Sequence, residues 1–402
     1  MLDRRWLVLV GLLDIWAWRT QQSLLATAAS YSLLLALLMF GMRRVALRGV
    51  SYQRTLAHDR ASCGDEVELS VQWSNDKLWP LAYLEIEDPL PRHVTVSGGQ
   101  VRLAESSLLP SLFVHRAMLP YERVTQRLRV RCDRRGVHTF GPAQCRSGDF
   151  LSEPTEHRGL SEVQELLVLP KIFPLIIRED PASPVLGPLR ARRAFMPDPL
   201  RVVGTRDYRS GDPLRSVDFR ASARRGSLMV RELEPSATPG LQIVLDFQVP
   251  SPRADPVEPD ELELAISVSA SLAAHASRAG WAFGLRGNGF CQGAPLQVAA
   301  SAAPAQLTNV LEALARARSR PSAPLASWLD HQPPRDFTQL GAAAIVTFQL
   351  QPALIASLLR LRRCGVHVFV ILIGAQADAE GLSVRRVAYE EGWAQREALV
   401  LA

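Results

Sequence analysis

The sequence predicts a multi-domain protein in which an N-terminal transmembrane helical hairpin, residues 1–48, precedes two globular domains. Three observations predict this: two apolar runs near the N-terminus, short segments of alternating polarity over residues 49–175, and apolar strands alternating with helices over residues 241–402. The first pattern is typical of membrane spans, the second of a β-sandwich-like domain, and the third of a doubly wound α/β domain. A chain of 402 residues is also too long for one ordinary core.

The hairpin is predicted from the apolar runs 6–18 and 23–42. The second run reaches the roughly 20 residues that a bilayer crossing needs, and tryptophans flank the first, although Asp14 lies within it. Arginines are denser outside the pair than in its turn. By the positive-inside rule we expect a multi-pass inner-membrane protein with cytoplasmic domains. A cleavable signal peptide is the alternative, and the apolar run continues well past its weak cleavage pattern.

The β-sandwich-like domain is predicted from segments such as V-E-L-S-V-Q-W and R-L-R-V-R-C, whose apolar residues recur with period two. Gly and Pro separate these segments, as expected of turns. Residues 176–240 follow. They are predicted to form a linker rich in Pro and Arg and then the arginine-rich signature stretch.

The α/β domain is predicted from the apolar strand 241–247, a helix over 259–279, and later strands at 281–287, 341–348 and 366–373. Such strands indicate a parallel sheet that is covered by helices on both faces. Ligands of such sheets bind at the carboxyl ends of strands, near the point where the strand order reverses.

Composition limits the function classes. The net charge of +6 comes from arginine, which favours anionic partners, but no aromatic-interleaved platform or zinc spacing points to nucleic acid. Five cysteines without C-x-x-C spacing indicate reduced thiols instead of a disulfide framework. We therefore expect no nucleic-acid partner.

The stretch 201–234 lacks a helical or strand period over most of its length and places arginines beside aspartates, so we expect an ordered, charge-paired loop. Its arginines either neutralise those aspartates or remain free to bind an acidic partner or a phosphate. The residues assigned to this structural or partner-binding site are Arg206, Asp207, Tyr208, Gly211, Asp212, Arg215, Asp218, Phe219, Arg220, Arg224, Arg225 and Glu232.

The run from Gly204 to Glu232, G-T-R-D-Y-R-S-G-D-P-L-R-S-V-D-F-R-A-S-A-R-R-G-S-L-M-V-R-E, resembles the signature of the bacterial domain-of-unknown-function fifty-eight family. The match is ungapped and combines several rare residue choices. The resemblance implies a membrane-tethered protein with a β-rich segment and a von Willebrand factor A-like α/β domain. It also implies association with MoxR-type AAA+ ATPases.

The A-like resemblance implies a Mg²⁺ site that begins with D-x-S-x-S after the first strand. Here Asp246 is retained, but Gln248 and Pro250 replace the two serines. Such a site needs oxygen ligands that converge from several loops, so we expect no metal and no cofactor, with Mg²⁺ as the alternative. Asp246 is then expected to cap the next element or to accept a hydrogen bond from an arginine.

The sequence indicates no catalytic site. It contains no G-x-S-x-G or Walker motif, and the glycine run 284–289 lacks the order of a dinucleotide-binding loop. We expect an adaptor, not an enzyme, that presents the A-like domain and the signature stretch to a protein such as a MoxR-type AAA+ ATPase. The alternatives are a metal-dependent ligand receptor and a nucleotide or anionic-lipid binder that uses the arginines.

Overall fold

The computed structural model divides the chain into two compact units, residues 1–169 and 170–402. The structure describes residues 4–20, 23–103, 109–147, 156–159, 163–177, 197–209, 212, 216–235, 240–249, 259–318, 320–374, 380–390 and 392–401.

Two helices, α1 (Arg4–Arg19) and α2 (Ser23–Val45), pack against each other in the first unit. α1 has 16 residues, a length of about 24 Å against a hydrocarbon core of about 30 Å. α2 is longer, with 23 residues, and the hydroxyls of Thr27 and Ser32 within it donate to the Ser23 and Ala28 carbonyl oxygens. Across the described residues, no helix combines the length and the apolar character that a bilayer crossing requires. The predicted transmembrane hairpin is therefore wrong, and so is the multi-pass inner-membrane location.

The rest of the first unit consists of short strands, of which those in the two larger sheets are all antiparallel. The strands are β1 (Val50–Leu56), β2 (Arg60–Ser62), β3 (Glu66–Asn75), β4 (Leu81–Pro89), β5 (Val94–Ser97), β6 (Gln100–Leu103), β7 (Pro110–Met118), β8 (Arg123–Cys132), β9 (Gly136–Phe140), β10 (Gln144–Ser147), β11 (Glu156–Gly159) and β12 (Gln164–Leu169).

Their sheet orders are β1-β3-β8-β5, β11-β10-β4-β7-β6 and β2-β12-β9. Apolar and polar side chains alternate along the strands. Because successive side chains of a strand point to opposite faces of the sheet, the apolar ones share one face and form the core. Leu69 pairs with Leu128 across β3 and β8, and both are buried together with Leu84 and Ile86 of β4. One apolar core therefore joins the two larger sheets of this unit.

A buried ion pair lies within this core. The Arg54 guanidinium donates to the Asp88 carboxylate at 2.7 Å and to the Phe140 carbonyl oxygen at 2.9 Å. The hydroxyl of Tyr52 donates to Asp88 Oδ2 at 2.6 Å, and Arg54 Nη1 donates to the same oxygen. The side chains of Arg54 and Asp88 are 1% and 0% exposed, respectively. Burial, together with the neighbouring Asp88 charge, raises the pKa of Tyr52 far above its usual range.

The second unit contains strands and helices in alternation. They are β13 (Leu175–Ile177), β14 (Pro197–Asp207), α3 (Phe219–Arg225), β15 (Met229–Pro235), β16 (Gly240–Leu245), α4 (Asp260–Arg278), β17 (Ala282–Cys291), β18 (Ala294–Ser301), α5 (Gln306–Arg316), β19 (Ala317–Arg318), α6 (Leu325–Asp330), α7 (Arg335–Thr338), β20 (Gly341–Thr347), α8 (Pro352–Arg363), β21 (His367–Ile373), β22 (Ser383–Val387), a 3₁₀ turn (Trp393–Gln395) and β23 (Leu399–Leu401).

The main sheet of this unit has the order β18-β17-β16-β20-β21-β22. Strands β17, β16, β20, β21 and β22 run parallel, while β18 pairs antiparallel with β17. β16 is buried along its whole length, and β20 and β21 are buried beyond their first residues. Because β16 continues to β17 on one side and borders β20 on the other, the strand order reverses between β16 and β20. The antiparallel edge strand β18 was not anticipated from the sequence.

Two glycines of β17 permit close contact with the residues that follow β16. A Cβ built on Gly289 lies 2.5 Å from the Phe247 ring, and one on Gly287 lies 2.7 Å from the Leu245 carbonyl oxygen. Real Cβ atoms do not approach other atoms so closely, so only glycine fits at either position. The glycines of the run 284–289 therefore allow β17 to pack closely against β16 and the Phe247 ring. This packing role does not require the G-x-G-x-x-G order of a dinucleotide-binding loop.

Candidate functional site

A crevice lies at the reversal point, beside the carboxyl ends of β16 and β20. It has a volume of about 430 Å³, within the range of about 300–1,000 Å³ that is usual for ligand pockets. Its lining residues are Asp246, Phe247, Gln248, Val249, Pro259, Pro321, Pro324, Leu325, Ala326, Gln349, Gln351 and Leu354. Its position is where ligands of doubly wound sheets bind.

Asp246 lies at the base of this crevice and is 6% exposed. Its Oδ1 accepts from Asn288 Nδ2 at 2.9 Å and from the Gln248 backbone N–H at 3.0 Å. Its Oδ2 accepts from Thr347 Oγ1 at 2.8 Å. The side-chain oxygen of Asn288, Oδ1, in turn accepts from the Phe247 backbone N–H at 2.8 Å. Asp246 therefore holds the loop after β16 in place through neighbours on β17 and β20.

Burial raises the pKa of Asp246 above its ordinary value, and the three hydrogen bonds act in the opposite direction. The partners of the carboxylate are an amide, a hydroxyl and a backbone N–H, and none of them is an arginine. Among the described residues, the printed donors to Asp246 are thus Gln248, Asn288 and Thr347, and the alternative of an arginine donor stays a prediction.

The residues present do not fit the Mg²⁺ site of D-x-S-x-S domains. Asp246 accepts three hydrogen bonds from protein donors, and the side chain of Gln248 has no hydroxyl where that site requires a hydroxyl ligand. The position of Pro250 lies outside the described residues. Among the residues that the structure describes, no group of three or more His, Cys, Asp or Glu side chains could hold a metal ion.

Asn288 and Thr347 were missed as site residues in the sequence. The sequence could have indicated both residues, because a polar side chain in an otherwise apolar buried strand needs a hydrogen-bond partner. Asn288 and Thr347 are both 0% exposed, and their partner is Asp246. Only the register of the parallel strands brings the three together.

The signature stretch is more regular than the predicted loop. β14 and β15 form an antiparallel pair in which Thr205 faces Arg231 and Asp207 faces Met229, and α3 lies between them in the chain. The strands went unrecognised because their register shifts break the period of two.

Arg206 and Asp212 form a two-pronged ion pair, with both N···O distances at 2.7 Å. The Arg209 backbone N–H also donates to Asp212, at 2.9 Å. Hydrogen bonds from Arg206 and then Arg209 lower the pKa of Asp212 to about 2. This pair agrees with the expectation that arginine-carboxylate contacts hold the stretch in one shape.

We expect Asp212→Asn to lower stability at neutral pH and to have no effect in strong acid. Because the pKa of Asp212 is lowered in the folded chain, its contribution is present above the ordinary value of 3.8 and is lost as the pH falls through about 2. Chemical denaturation of the wild type and the variant across this range checks the prediction. A stability difference that persists unchanged at the lowest pH contradicts it.

Asp218 is the N-cap of α3. Its Oδ1 accepts from the backbone N–H groups of Arg220, at 3.0 Å, and Ala221, at 3.1 Å. The Ser222 hydroxyl accepts from the Met229 N–H at 2.8 Å, which attaches the inner face of α3 to β15. The helix is therefore held by its cap and by hydrogen bonds to β15, while its other face is exposed.

The outer face of α3 is aromatic and basic. At 100° per residue, Phe219, Ala223, Arg220 and Arg224 fall within about 140° of arc, and all four are exposed, with Phe219 at 75%. Arg225 is exposed at the end of the helix. Neither Arg224 nor Arg225 forms an ion pair with any residue that the structure describes. We call Phe219, Arg220, Ala223, Arg224 and Arg225 the α3 face.

The remaining assigned residues divide into two groups. Asp207 is exposed, and Tyr208 is half-buried, with its N–H donating to the Leu228 carbonyl oxygen at 2.9 Å. Gly211 and Arg215 lie outside the described residues, as does the side chain of Glu232, whose backbone pairs in β15 with Gly204.

Comparison with known proteins gives one family and one curated relative. The family described as "Protein of unknown function DUF58" matches residues 204–380. The Uncharacterized protein YeaD of Bacillus subtilis (strain 168) is 26% identical over 236 residues, covering 56% of this chain and 52% of that protein. The chain therefore spans about half the length of this relative.

Among solved structures, the CARDB domain of the PF1109 protein from Pyrococcus furiosus matches at 8% identity, covering 30% of this chain and 87% of the domain, with a TM-score of 0.21. A cohesin module from a Clostridium perfringens family 33 glycoside hydrolase matches at 9% identity, covering 30% of this chain and 96% of the module, with a TM-score of 0.20. At such scores neither likeness carries an argument.

Proposed function

Because the chain belongs to the family of unknown function DUF58 through residues 204–380, we propose that it is an adaptor that binds a protein partner through the α3 face. The proposal rests on one observation, the exposure of Phe219 beside Arg220, Arg224 and Arg225 on a helix that the fold fixes in place. It assigns binding to the chain and no reaction.

The chemistry of the α3 face supports a protein partner with an acidic surface. Protein interfaces are enriched in aromatic residues and arginine, and a few such residues dominate their binding energy. An exposed phenylalanine loses water when it enters an apolar pocket, and arginines beside it pair with carboxylates in two-pronged geometry. A MoxR-type AAA+ ATPase is the partner class that the family resemblance suggests.

The test measures affinity for a purified MoxR-type AAA+ ATPase from the same organism by biolayer interferometry, with the full chain immobilised. We expect Arg224→Glu/Arg225→Glu to weaken binding at least about tenfold, since attraction becomes repulsion at two contacts. Binding by the wild type should also weaken as salt is added.

The matched control is Arg335→Glu/Arg363→Glu, which changes the charge equally at two exposed arginines on α7 and α8. This variant should bind as the wild type does. Equal losses in both variants would show that net charge, and not the α3 face, governs binding. Absence of any binding by the wild type would rule out this partner class.

A further inference from the structure

We infer that Ser227 is a phosphorylation site for a serine/threonine kinase that selects arginines before its target, and that the added phosphate weakens partner binding by the α3 face. The effect of the phosphate rests on the proposed function, whereas the site itself does not. Ser227 directly follows Gly226, the residue of left-handed conformation that ends α3, and lies in the short connection to β15.

The sequence around Ser227 has the charge pattern that such a kinase recognises. Residues 224–228 read Arg-Arg-Gly-Ser-Leu. Kinases discriminate among substrates partly by charge pattern, and a substrate groove lined with carboxylates pairs with arginines on the N-terminal side of the serine. Two adjacent arginines followed, after one residue, by serine or threonine occur nowhere else in the 402 residues. The pattern therefore singles out one hydroxyl of the chain.

The hydroxyl of Ser227 is accessible in the fold. Residues 223–228 are all exposed, and exposure ends at β15, where Met229 is buried. The contact described for this hydroxyl is with the Met229 sulfur at 3.9 Å, and a thioether is only a weak acceptor. Ser222, by contrast, donates to the Asp218 carbonyl oxygen at 2.7 Å and accepts from the Met229 N–H at 2.8 Å. The fold thus engages Ser222 and leaves Ser227 open to a kinase.

The end of α3 can open at low cost, which matters because kinases hold their substrate segment in an extended conformation. α3 has seven residues, and none of them is buried. A helix of this length is marginal without tertiary packing, and segments with few buried contacts open locally. The hydrogen bond that closes its last turn runs from the Gly226 N–H to the Ser222 carbonyl oxygen at 2.9 Å. Breaking this bond frees residues 224–228 while β15 stays paired with β14.

The reaction is a phosphoryl transfer from ATP, which the kinase supplies. Ser227 Oγ forms a bond to the γ-phosphorus, the bond from that phosphorus to the β–γ bridging oxygen breaks, and ADP leaves. The hydroxyl proton passes to the catalytic base of the kinase. The product carries a charge of about −1.5 to −2 at pH 7 and three strong acceptor oxygens.

The phosphate affects the α3 face because it is placed beside two of its arginines. Arg225 and Arg224 precede Ser227 by two and three residues, and both are exposed. Arginine pairs with phosphate in two-pronged geometry, so the new group competes with partner carboxylates for these guanidinium groups. It also repels the carboxylates directly. Phosphorylation of Ser227 should therefore weaken the binding of an acidic partner.

The first experiment asks whether Ser227 is modified. The full chain is isolated from the cells that naturally produce it, in growth and in stationary phase, and is analysed by tandem mass spectrometry with and without phosphatase treatment. We expect phosphate on Ser227 that the phosphatase removes. Lack of phosphate on Ser227 in both phases would overturn the inference.

A reconstituted reaction tests recognition of the site. The probe is the catalytic subunit of cyclic-AMP-dependent protein kinase, an arginine-directed kinase, with ATP and the full chain. We expect Ser227→Ala to lower phosphate incorporation at least about tenfold with an unchanged melting temperature. The matched control is Ser327→Ala, at an exposed serine on α6 without preceding arginines, and it should be modified as the wild type is. Equal incorporation by Ser227→Ala and the wild type would contradict the assignment.

The last experiment measures the effect on binding, with the AAA+ ATPase and the interferometry of the proposed function. The phosphorylated chain should bind at least about tenfold more weakly than the unmodified chain, and phosphatase should restore the affinity. Unchanged affinity after phosphorylation would overturn the regulatory effect. If Ser227 is phosphorylated but the unmodified chain does not bind the ATPase, the proposed function fails and the modification site stands. If the unmodified chain binds but Ser227 carries no phosphate, the inference fails and the proposed function stands.

Discussion

Replacing Asp246 with alanine is expected to lower the free energy of unfolding by about 2–3 kcal/mol, whereas Asp246→Asn is expected to stay within about 1 kcal/mol of the wild type. Alanine removes the acceptor of three hydrogen bonds and leaves a buried gap. Asparagine keeps one oxygen for Asn288 and Gln248. Its amide can donate to Thr347 Oγ1, whose own hydrogen can turn to the Gln349 carbonyl oxygen, 3.3 Å away.

The pH dependence supplies a second check on Asp246. Burial raises its folded pKa, so its favourable contribution is complete below the ordinary value of 3.8 and is lost as the pH rises through the folded value. As the pH is raised from acid to neutral, the free energy of unfolding of the wild type should therefore fall relative to that of Asp246→Asn. Urea denaturation of the full chain at several pH values measures this difference.

If Asp246 were instead a metal ligand, Asp246→Asn would lose a Mg²⁺-dependent increase in melting temperature that the wild type shows. Such an increase in the wild type would contradict the structural role assigned to Asp246. Thr347→Val removes one hydrogen bond to Asp246 and keeps the side-chain shape. Urea denaturation of this variant should show a free energy of unfolding about 1 kcal/mol lower than that of the wild type.

Asp88→Ala is expected to have the largest effect on stability, a loss of about 3–5 kcal/mol. The substitution leaves the Arg54 guanidinium buried without its carboxylate and removes the acceptor of the Tyr52 hydroxyl. Taking only one partner from a buried ion pair costs more than the pair itself contributes, because the remaining charge stays out of water. Calorimetry and urea denaturation on the full chain measure the loss.

The control for Asp88→Ala is Glu68→Ala. Glu68 pairs with Arg127 at 3.5 Å on the surface of the same unit, with both side chains more than half exposed. Solvent and salt screen such a pair, so we expect a loss below about 0.5 kcal/mol. Similar losses in the two variants would contradict the prediction, because they would mean that the loss of stability does not depend on the burial of Arg54 and Asp88.

Much of the α/β unit could be predicted from local pattern. The strands predicted at 341–348 and 366–373 coincide with β20 and β21, and the helix predicted at 259–279 coincides with α4. Continuous apolar runs of this length suit only buried strands, and helical spacing is equally distinctive. The N-terminal apolar runs are also helical, but hydrophobicity alone led to the wrong conclusion that they cross a membrane.

The amino-acid sequence alone was enough to recognise the family signature, the loss of the two serines that a Mg²⁺ site needs, and the positions of the apolar strands. Only the tertiary structure joined Asp246 to Asn288 and Thr347, which lie 42 and 101 residues further along the chain. It alone showed that Asp212 pairs with Arg206 while the α3 face remains exposed. The reason is that hydrogen bonds and burial depend on strand order and register, which side-chain periodicity along one strand does not specify.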